Sequence, residues 1–333
     1  MQQECSIRKV GIACQGGGSH AAFIAGVLKK ILKEFPNLNK KGYQIIDFSG
    51  SSGGAICALL AWYGLLQNDE KKSIELLDSF WEEIKANSPW DAGLNYFVTA
   101  MTRMRSSGFP MPEISPYFYP PYGQDRLKQI LEQLVDFDKI QELLKKPSHS
   151  SLFVGSVEVC TGNFRIFKNA DITVEAILAS TAVPLLFPAI RIGERSYWDG
   201  LLSHNPPIEC FVHDLDPDEC KTDEIWIIQI NPQKRSEEPK TVEDILDRRN
   251  ELAGNLSLNQ EISSIEAFNR WLQEGHFSTD RYKYVTIRKI ELDLELDYSS
   301  KLDRSPAFIR DLMNYGEEKA GRFLKLLNNM QTF

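Results

Sequence analysis

The sequence predicts an α/β fold, a sheet with helices on its faces. Two observations carry this reading. Short apolar runs end in glycine-rich turns, and each of the first two turns opens a helical stretch, so strand and helix alternate. Lys9–Gln15 (KVGIACQ) is the first such run and reads as a buried strand. From Ser19 to Phe35 the residues Phe23, Val27, Leu28, Ile31 and Leu32 fall on one side of a helix. Tyr43–Phe48 reads as a second strand. It runs into Ser49-Gly50-Ser51-Ser52-Gly53-Gly54 and then into a nearly all-apolar helix through Leu66.

Lys71–Lys85 is an amphipathic helix by its spacing. Residues 88–123 have weak periodicity and are rich in Pro, Met and aromatics, among them Trp90, Tyr96, Phe97 and Phe118. That composition suits an acyl-contact insertion, lid or membrane-touching flap; an irregular loop packed on the core fits it equally. Gln124–Leu144 returns to a charged helix pattern. Ser151–Val159 and Asn163–Phe167 read as paired strands joined near Thr161-Gly162. Val174–Ala182 is a short helix stopped by Pro184, and Ser196–Trp198 leads into Asp199-Gly200. Glu224–Ile230 is a further strand, followed by a polar linker, Pro232–Pro239. Two long helical patterns, near Val242–Glu274 and Pro306–Met330, flank Tyr282–Leu296, which alternates like a strand.

With 333 residues, 42% hydrophobic and 25% charged, the chain can build a core large enough to shield a catalytic site. A net charge of −8 argues against a nucleic-acid partner, which requires a basic surface, although it leaves room for a local basic patch. It also opposes strong electrostatic capture by anionic lipid. Cys5, Cys14, Cys57, Cys160, Cys210 and Cys220 are scattered without a C-x-x-C pair, which argues against a zinc site or a disulfide framework and for reduced core thiols. The opening residues lack the features of a signal peptide, and the apolar stretch Ala55–Leu66 is too short to span a bilayer. The expectation is a soluble cytoplasmic chain, with export that needs no cleaved signal left open.

The sharpest local signal is Gly50-Ser51-Ser52-Gly53-Gly54. It fits G-x-S-x-G in one frame, which makes Ser52 the central serine. A nucleophile on a tight strand-to-helix turn needs small neighbours, here Gly50 and Gly54. The following helix points its N-terminal N–H groups at developing negative charge. Gly16-Gly17-Gly18, after the first strand, leaves amides bare that can hold an oxyanion. A rival reading takes Gly16-x-Gly18-x-x-Ala21 as a dinucleotide fingerprint, with Asp47 as the ribose acid, but it leaves the second glycine turn at 50–54 unexplained. For the base that Ser52 needs, two options stand. Asp199 can act directly as a dyad, or Ser52 and Asp199 can be joined by His204, His213 or His276 in a triad. His149 lies in a polar turn, and His213 and His276 have charged surroundings.

Gly16–Gly18, Gly50–Gly54 and Trp198-Asp199-Gly200 together resemble the three signatures of patatin-like phospholipases. Ala179-Ser180-Thr181-Ala182-Val183-Pro184 with Phe187-Pro188, and Asn205-Pro206-Pro207, are also similar to blocks of that family. These matches cover roughly residues 8–210; residues 211–333 then form a strand and helical extension packed on the core, like extensions of some bacterial members. The resemblance implies a three-layer α/β/α fold with a central, mostly parallel sheet and a Ser52–Asp199 dyad. It also implies hydrolysis of lipid acyl esters with no metal or cofactor, and a Gly16–Gly18 oxyanion hole. A serine acyl hydrolase of the phospholipase A, lysophospholipase or esterase type is expected, in transient contact with a membrane surface. An acyltransferase using the same dyad is the alternative. Three positions depart from the family pattern: His20-Ala21 stands where a basic residue and glycine are usual, Leu201 follows Asp199-Gly200, and Ser51 replaces the more usual threonine. A protonated His20 near a phosphate and a solvated or helix-capping histidine both fit the sequence.

Overall fold

The structure, a computed structural model, describes residues 7–107, 114–145, 150–212, 222–278 and 282–330. His149, His213, Cys5 and Cys220 lie outside the described residues. Among those described, eight strands form one sheet: β1 (Arg8–Cys14), β2 (Tyr43–Gly50), β3 (Ser151–Glu158), β4 (Phe164–Lys168), β5 (Ile190–Ile192), β6 (Arg195–Asp199), β7 (Glu224–Gln229) and β8 (Thr286–Glu291). The order is β5-β6-β3-β2-β1-β7-β8, with β4 paired to β3 off this path. From β3 to β8 the neighbours along that path run parallel; β4 and β6 are antiparallel to β3, and β5 to β6.

The helices are α1 (Ala21–Lys33), α2 (Phe35–Lys40), α3 (Gly53–Leu66), α4 (Glu70–Ile84), α5 (Pro89–Ser106), α6 (Tyr122–Leu134), α7 (Phe137–Leu143), α8 (Val174–Ser180), α9 (Val242–Gln273) and α10 (Pro306–Met330). Side chains of a strand alternate between faces, so each central strand feeds two cores. Val10, Ile12, Trp226 and Ile228 pack with α1, α3, α4 and α10 on one face. Ala13, Phe153, Ile225 and Ile227 pack with Leu258, Ile262 and Ile265 of α9 on the other. Helix, sheet and helix make the three layers. The helix α3 is buried nearly all round, which explains why its sequence carries no polar face. The segment 211–333 supplies β7, which pairs directly with β1, and β8 beyond it.

Several elements differ from the sequence reading. The irregular reading of 88–123 does not hold for its first half, which is the 18-residue helix α5. Ser88 caps it by accepting from the Asp91 amide, and Pro89 occupies its first turn. Its apolar periodicity is weak because the helix buries little, while Trp90, Tyr96 and Phe97 are exposed. Gln124–Leu144 is two helices rather than one; Asp136 interrupts them and caps α7 through the Lys139 amide. Of Tyr282–Leu296 only Thr286–Glu291 is strand, because β7, its one partner among the described residues, offers six residues, matched from Glu224↔Thr286 to Gln229↔Glu291. Cys160 is exposed, unlike the buried Cys14 and Cys57.

Candidate active site

Because β1 and β2 are parallel and Cys14 pairs with Gly50, both glycine-rich turns leave the same edge of the sheet. The end of β6 reaches that edge through β3, where Ser156 pairs with Asp199. Three segments distant in sequence thus meet by strand register alone.

Ser52 is the N-cap of α3, with φ 54° and ψ −132°. A positive φ in a serine is strained, at a typical cost of about 1–3 kcal/mol, and persists only where the surroundings hold it. They do so here. The Ser52 amide donates to Ser180 O at 3.1 Å and Ser180 Oγ at 3.1 Å, and Ser180 Oγ donates to Gly155 O at 2.7 Å. Close packing of the turn fixes the neighbouring glycine: a Cβ on Gly54 would lie 2.2 Å from Cys14 O. Gly50 faces the backbone of Gly54 and Ala55 in the same way, and Gly53 faces Gly18 O and Ala21. Ser51 is fully buried and spends its hydroxyl on the His204 carbonyl, so of the two serines only Ser52 is available for chemistry.

Asp199 is 0% exposed. Its Oδ1 accepts from the Leu201 amide at 2.8 Å, whereas its Oδ2 is buried without a full hydrogen bond. Burial pushes its pKa up to about 7, against smaller lowering by the Leu201 amide and the nearby Ser52 hydroxyl. Ser52 is thus a near neighbour of the carboxyl. No hydrogen bond joins the two, because Oδ2 has no donor partner among the described residues. A carboxylate with an acceptor held in reserve and a pKa near neutrality is suited to take a proton.

The glycine loop needs one correction. The Gly16 amide is already committed, donating to Asn205 Oδ1 at 2.7 Å, so it is no oxyanion donor. Its role is positional: a Cβ on Gly16 would meet Ser52 Cβ at 2.8 Å and Ser51 O at 2.7 Å. Among the described residues the amides of Gly17, Gly18 and Gly53 have no acceptor. Gly18 requires glycine twice over, with φ +57° and Lys301 O 2.2 Å from where a Cβ would be.

These groups line a cavity of about 640 Å³ that holds Ser52, Gly16–Gly18 and Lys301, with Leu186, Leu202 and Leu256 among its apolar walls. Leu201 is also in the wall, beside the carboxylate. A second space of about 900 Å³, between 231–239 and 289–297, contains neither Ser52 nor Asp199.

His204 borders the active cavity but turns elsewhere. Its Nδ1 lies 2.7 Å from Glu261 Oε1 and its Nε2 3.6 Å from Glu209, and neither Asp199 oxygen meets it. A triad through Asp199 and His204 is therefore not formed. His276 is exposed beside Glu274. His20 is buried, its Nε2 2.7 Å from Ser300 Oγ, and burial drives its pKa down to about 3. It is neutral, which corrects the reading of a phosphate-facing cation. The dinucleotide reading fails on position. Asp47 pairs with Gly11, five residues before Gly16, and its Oδ2 accepts from Thr222. At about 3.3 Å per residue it sits roughly 16 Å below the loop.

Sequence reasoning named the blocks containing Ser180 and Asn205 without giving either a role; a buried serine beside an elbow and an asparagine beside a glycine loop were the signals. Gly155 and Lys301 were missed. No local pattern marks either, because their relevance arises from strand register and from a turn 249 residues beyond Ser52.

The profile of the patatin-like phospholipase family matches residues 12–212, more than half of the chain. The chain belongs to the patatin-like phospholipase family. That membership places it among lipid acyl hydrolases. Among solved structures, similar ones are VipD from Legionella pneumophila, the type III effector protein ExoU, and human GIVD cytosolic phospholipase A2 bound to methyl γ-linolenyl fluorophosphonate. VipD is 15% identical with a TM-score of 0.47, covering 96% of this chain and 67% of its own. ExoU is 15% identical with a TM-score of 0.38, covering 95% and 53%, and the human enzyme 13% and 0.41, covering 98% and 59%. This chain thus spans little more than half the length of the last two. No curated protein sequence matches significantly. Among the described residues no helix is long and apolar enough to cross a membrane.

Proposed function

We propose that the chain is a serine acyl hydrolase of phospholipase A, lysophospholipase or esterase type, acting through an acyl-enzyme on Ser52 with Asp199 as general base. The observation that carries this reading is the unsatisfied Asp199 Oδ2, buried beside a serine held at positive φ. Asp199 takes the hydroxyl proton as Ser52 Oγ attacks the ester carbonyl. The new oxyanion sits on the Gly17, Gly18 and Gly53 amides at the head of α3. The C–O bond to the alcohol then breaks, and the alcohol leaves with the proton. Water repeats the sequence in reverse, freeing the fatty acid and Ser52.

Substrate delivery fits a lipid surface. Trp90, Tyr96 and Phe97 on α5 are 81%, 76% and 59% exposed, and Phe118 is 83% exposed. Aromatic side chains at that exposure partition into the headgroup boundary. With a net charge of −8 the attraction is apolar rather than electrostatic. The test compares fatty-acid release from zwitterionic phospholipid vesicles with release from a monomeric short-chain ester. The parent is expected to hydrolyse both. The double variant Tyr96→Ser, Phe97→Ser is expected to lose roughly tenfold or more on vesicles through weaker surface binding, and little on the monomer. Equal rates for parent and variant on vesicles would remove the surface role. Transfer of the acyl group to an added alcohol with no free acid formed would make the chain an acyltransferase.

A further inference from the structure

Three glycines in a row cannot hold themselves in place. Gly16–Gly18 carry no side chains, so nothing of their own restricts the loop that offers the Gly17 and Gly18 amides. Donors for an oxyanion are effective when they are aimed before the charge develops. The aim therefore has to come from groups packed around the loop. Two handles exist at its start. One is the Gly16 amide, held by Asn205 Oδ1 at 2.7 Å. The other is the side chain of Gln15, the residue directly before the triplet, which is fully buried.

Both handles are gripped by the same turn of α9. Gln15 Nε2 donates to Asn255 Oδ1 at 2.8 Å and lies 3.3 Å from the carbonyl oxygens of Gly254 and Asn205. Asn205 Nδ2 donates to Gly254 O at 3.1 Å, and the Asn205 amide donates to Ser257 Oγ at 3.1 Å. Asn255 is fully buried with every polar site engaged. Its Oδ1 accepts from Gln15 and, at 3.2 Å, from Gln229 Nε2. Its Nδ2 donates to the carbonyls of Asn231 and Pro232 at 3.2 and 3.3 Å. Gln15 Oε1 in turn accepts the Ile230 and Asn231 amides at 2.9 and 2.8 Å, where the chain leaves β7. Gly254 fits as closely, since a Cβ there would lie 2.9 Å from Asn231 Nδ2. Buried amides with their donors and acceptors met in this way rigidify what they touch.

We propose that residues 254–257 of α9 are a positioning element of the oxyanion hole: through Gln15 and Asn205 they set the direction of the Gly17 and Gly18 amides at Ser52. This rests on the hydrolase reading. It gives the oxyanion donors a support that lies outside residues 12–212, the part matched by the family profile. The apolar anchorage of α9 to the sheet is separate, through Leu258, Ile262 and Ile265. The polar turn at 254–257 is therefore not what holds the helix on the sheet.

The test uses a long-chain alkyl trifluoromethyl ketone and the secondary alcohol of the same chain. Ser52 Oγ adds to the ketone carbon, the C=O π pair moves onto oxygen as an oxyanion, and the hydroxyl proton goes to Asp199. The alcohol fills the same cavity and forms no oxyanion. Ser257→Ala removes the acceptor of the Asn205 amide. It is expected to raise Ki of the ketone about tenfold and to lower kcat for a monomeric ester by a similar factor. Asn255→Ala is expected to do both by about 10–100-fold. In both variants KM and Ki of the alcohol are expected to stay within twofold of the parent, and the pH midpoint near 7 set by Asp199 to stay in place. Ser257 is half-buried and its alanine variant keeps the Cβ, so that variant decides the matter if Asn255→Ala does not fold. A folded variant of either kind with kcat and ketone Ki within twofold of the parent overturns the proposal. So does an equal loss on ketone and alcohol, which marks a general disruption of the cavity. A parent that neither hydrolyses the ester nor binds the ketone more tightly than the alcohol defeats the hydrolase reading instead, which keeps the two failures apart.

Discussion

Asp199→Asn is expected to lower kcat by about 10²–10⁴-fold while leaving the protein folded. Asparagine keeps the size of the side chain and an acceptor for the Leu201 amide, but it cannot take the Ser52 proton. The parent has a matching signature in pH. Asp199 is raised to about 7, so it is protonated and useless as a base below that value. Activity is therefore expected to rise with pH, with a midpoint near 7, and then to level off. Stability moves the other way. A carboxyl whose folded pKa lies above its unfolded one stabilises the fold fully below the unfolded value, and this contribution is lost as pH rises through the folded value. Asp199→Asn removes that loss, so at pH 8 the variant should melt no lower than the parent. A variant that keeps more than a tenth of parental kcat would show that Asp199 is not the base. A variant that melts far lower at pH 8 would show a structural role instead.

The second large effect concerns the residue after the base. A Cβ on Gly200 would lie 2.2 Å from Gly155 O and 2.8 Å from Ser51 Oγ. Neither neighbour can give way easily. Gly155 is in β3, paired with Ile166 of β4 and next to the Ser156–Asp199 pairing with β6, and Ser51 is in the elbow itself. Gly200→Ala is therefore expected to displace Asp199 from Ser52 and to cost about 1–3 kcal/mol or more of stability, with activity reduced at least tenfold. Gly93→Ala is the control, because nothing lies within 4 Å of that position. If Gly200→Ala matches Gly93→Ala in melting temperature and rate, the close approach of these strands does not matter to the site.

The sequence disclosed most of what local pattern can encode. Strands β1 and β2 and the buried helix α3 were legible because a two-residue or continuous apolar pattern has few other uses. Ser52 was legible because a tight turn demands glycine at fixed offsets. The expected Ser52–Asp199 dyad came from resemblance, since 147 residues separate the two and only register through β3 sets their strand ends at one edge. The helix α5 escaped because an exposed helix has no core to impose periodicity, although Ser88-Pro89 at its start was a readable cap. The commitment of the Gly16 amide to Asn205 could not be read at all: a glycine triplet shows that amides are bare of side chains, and not which of them already has an acceptor.

All of this depends on Ser52 being the atom that attacks. Treatment with a fluorophosphonate ester, followed by digestion and mass spectrometry, tests that directly. The expected result is one phosphonyl group per chain, on the peptide carrying Ser52, absent in Ser52→Ala and strongly slowed in Asp199→Asn. Labelling that persists undiminished in Ser52→Ala, or that maps to another residue of the parent, would contradict the account.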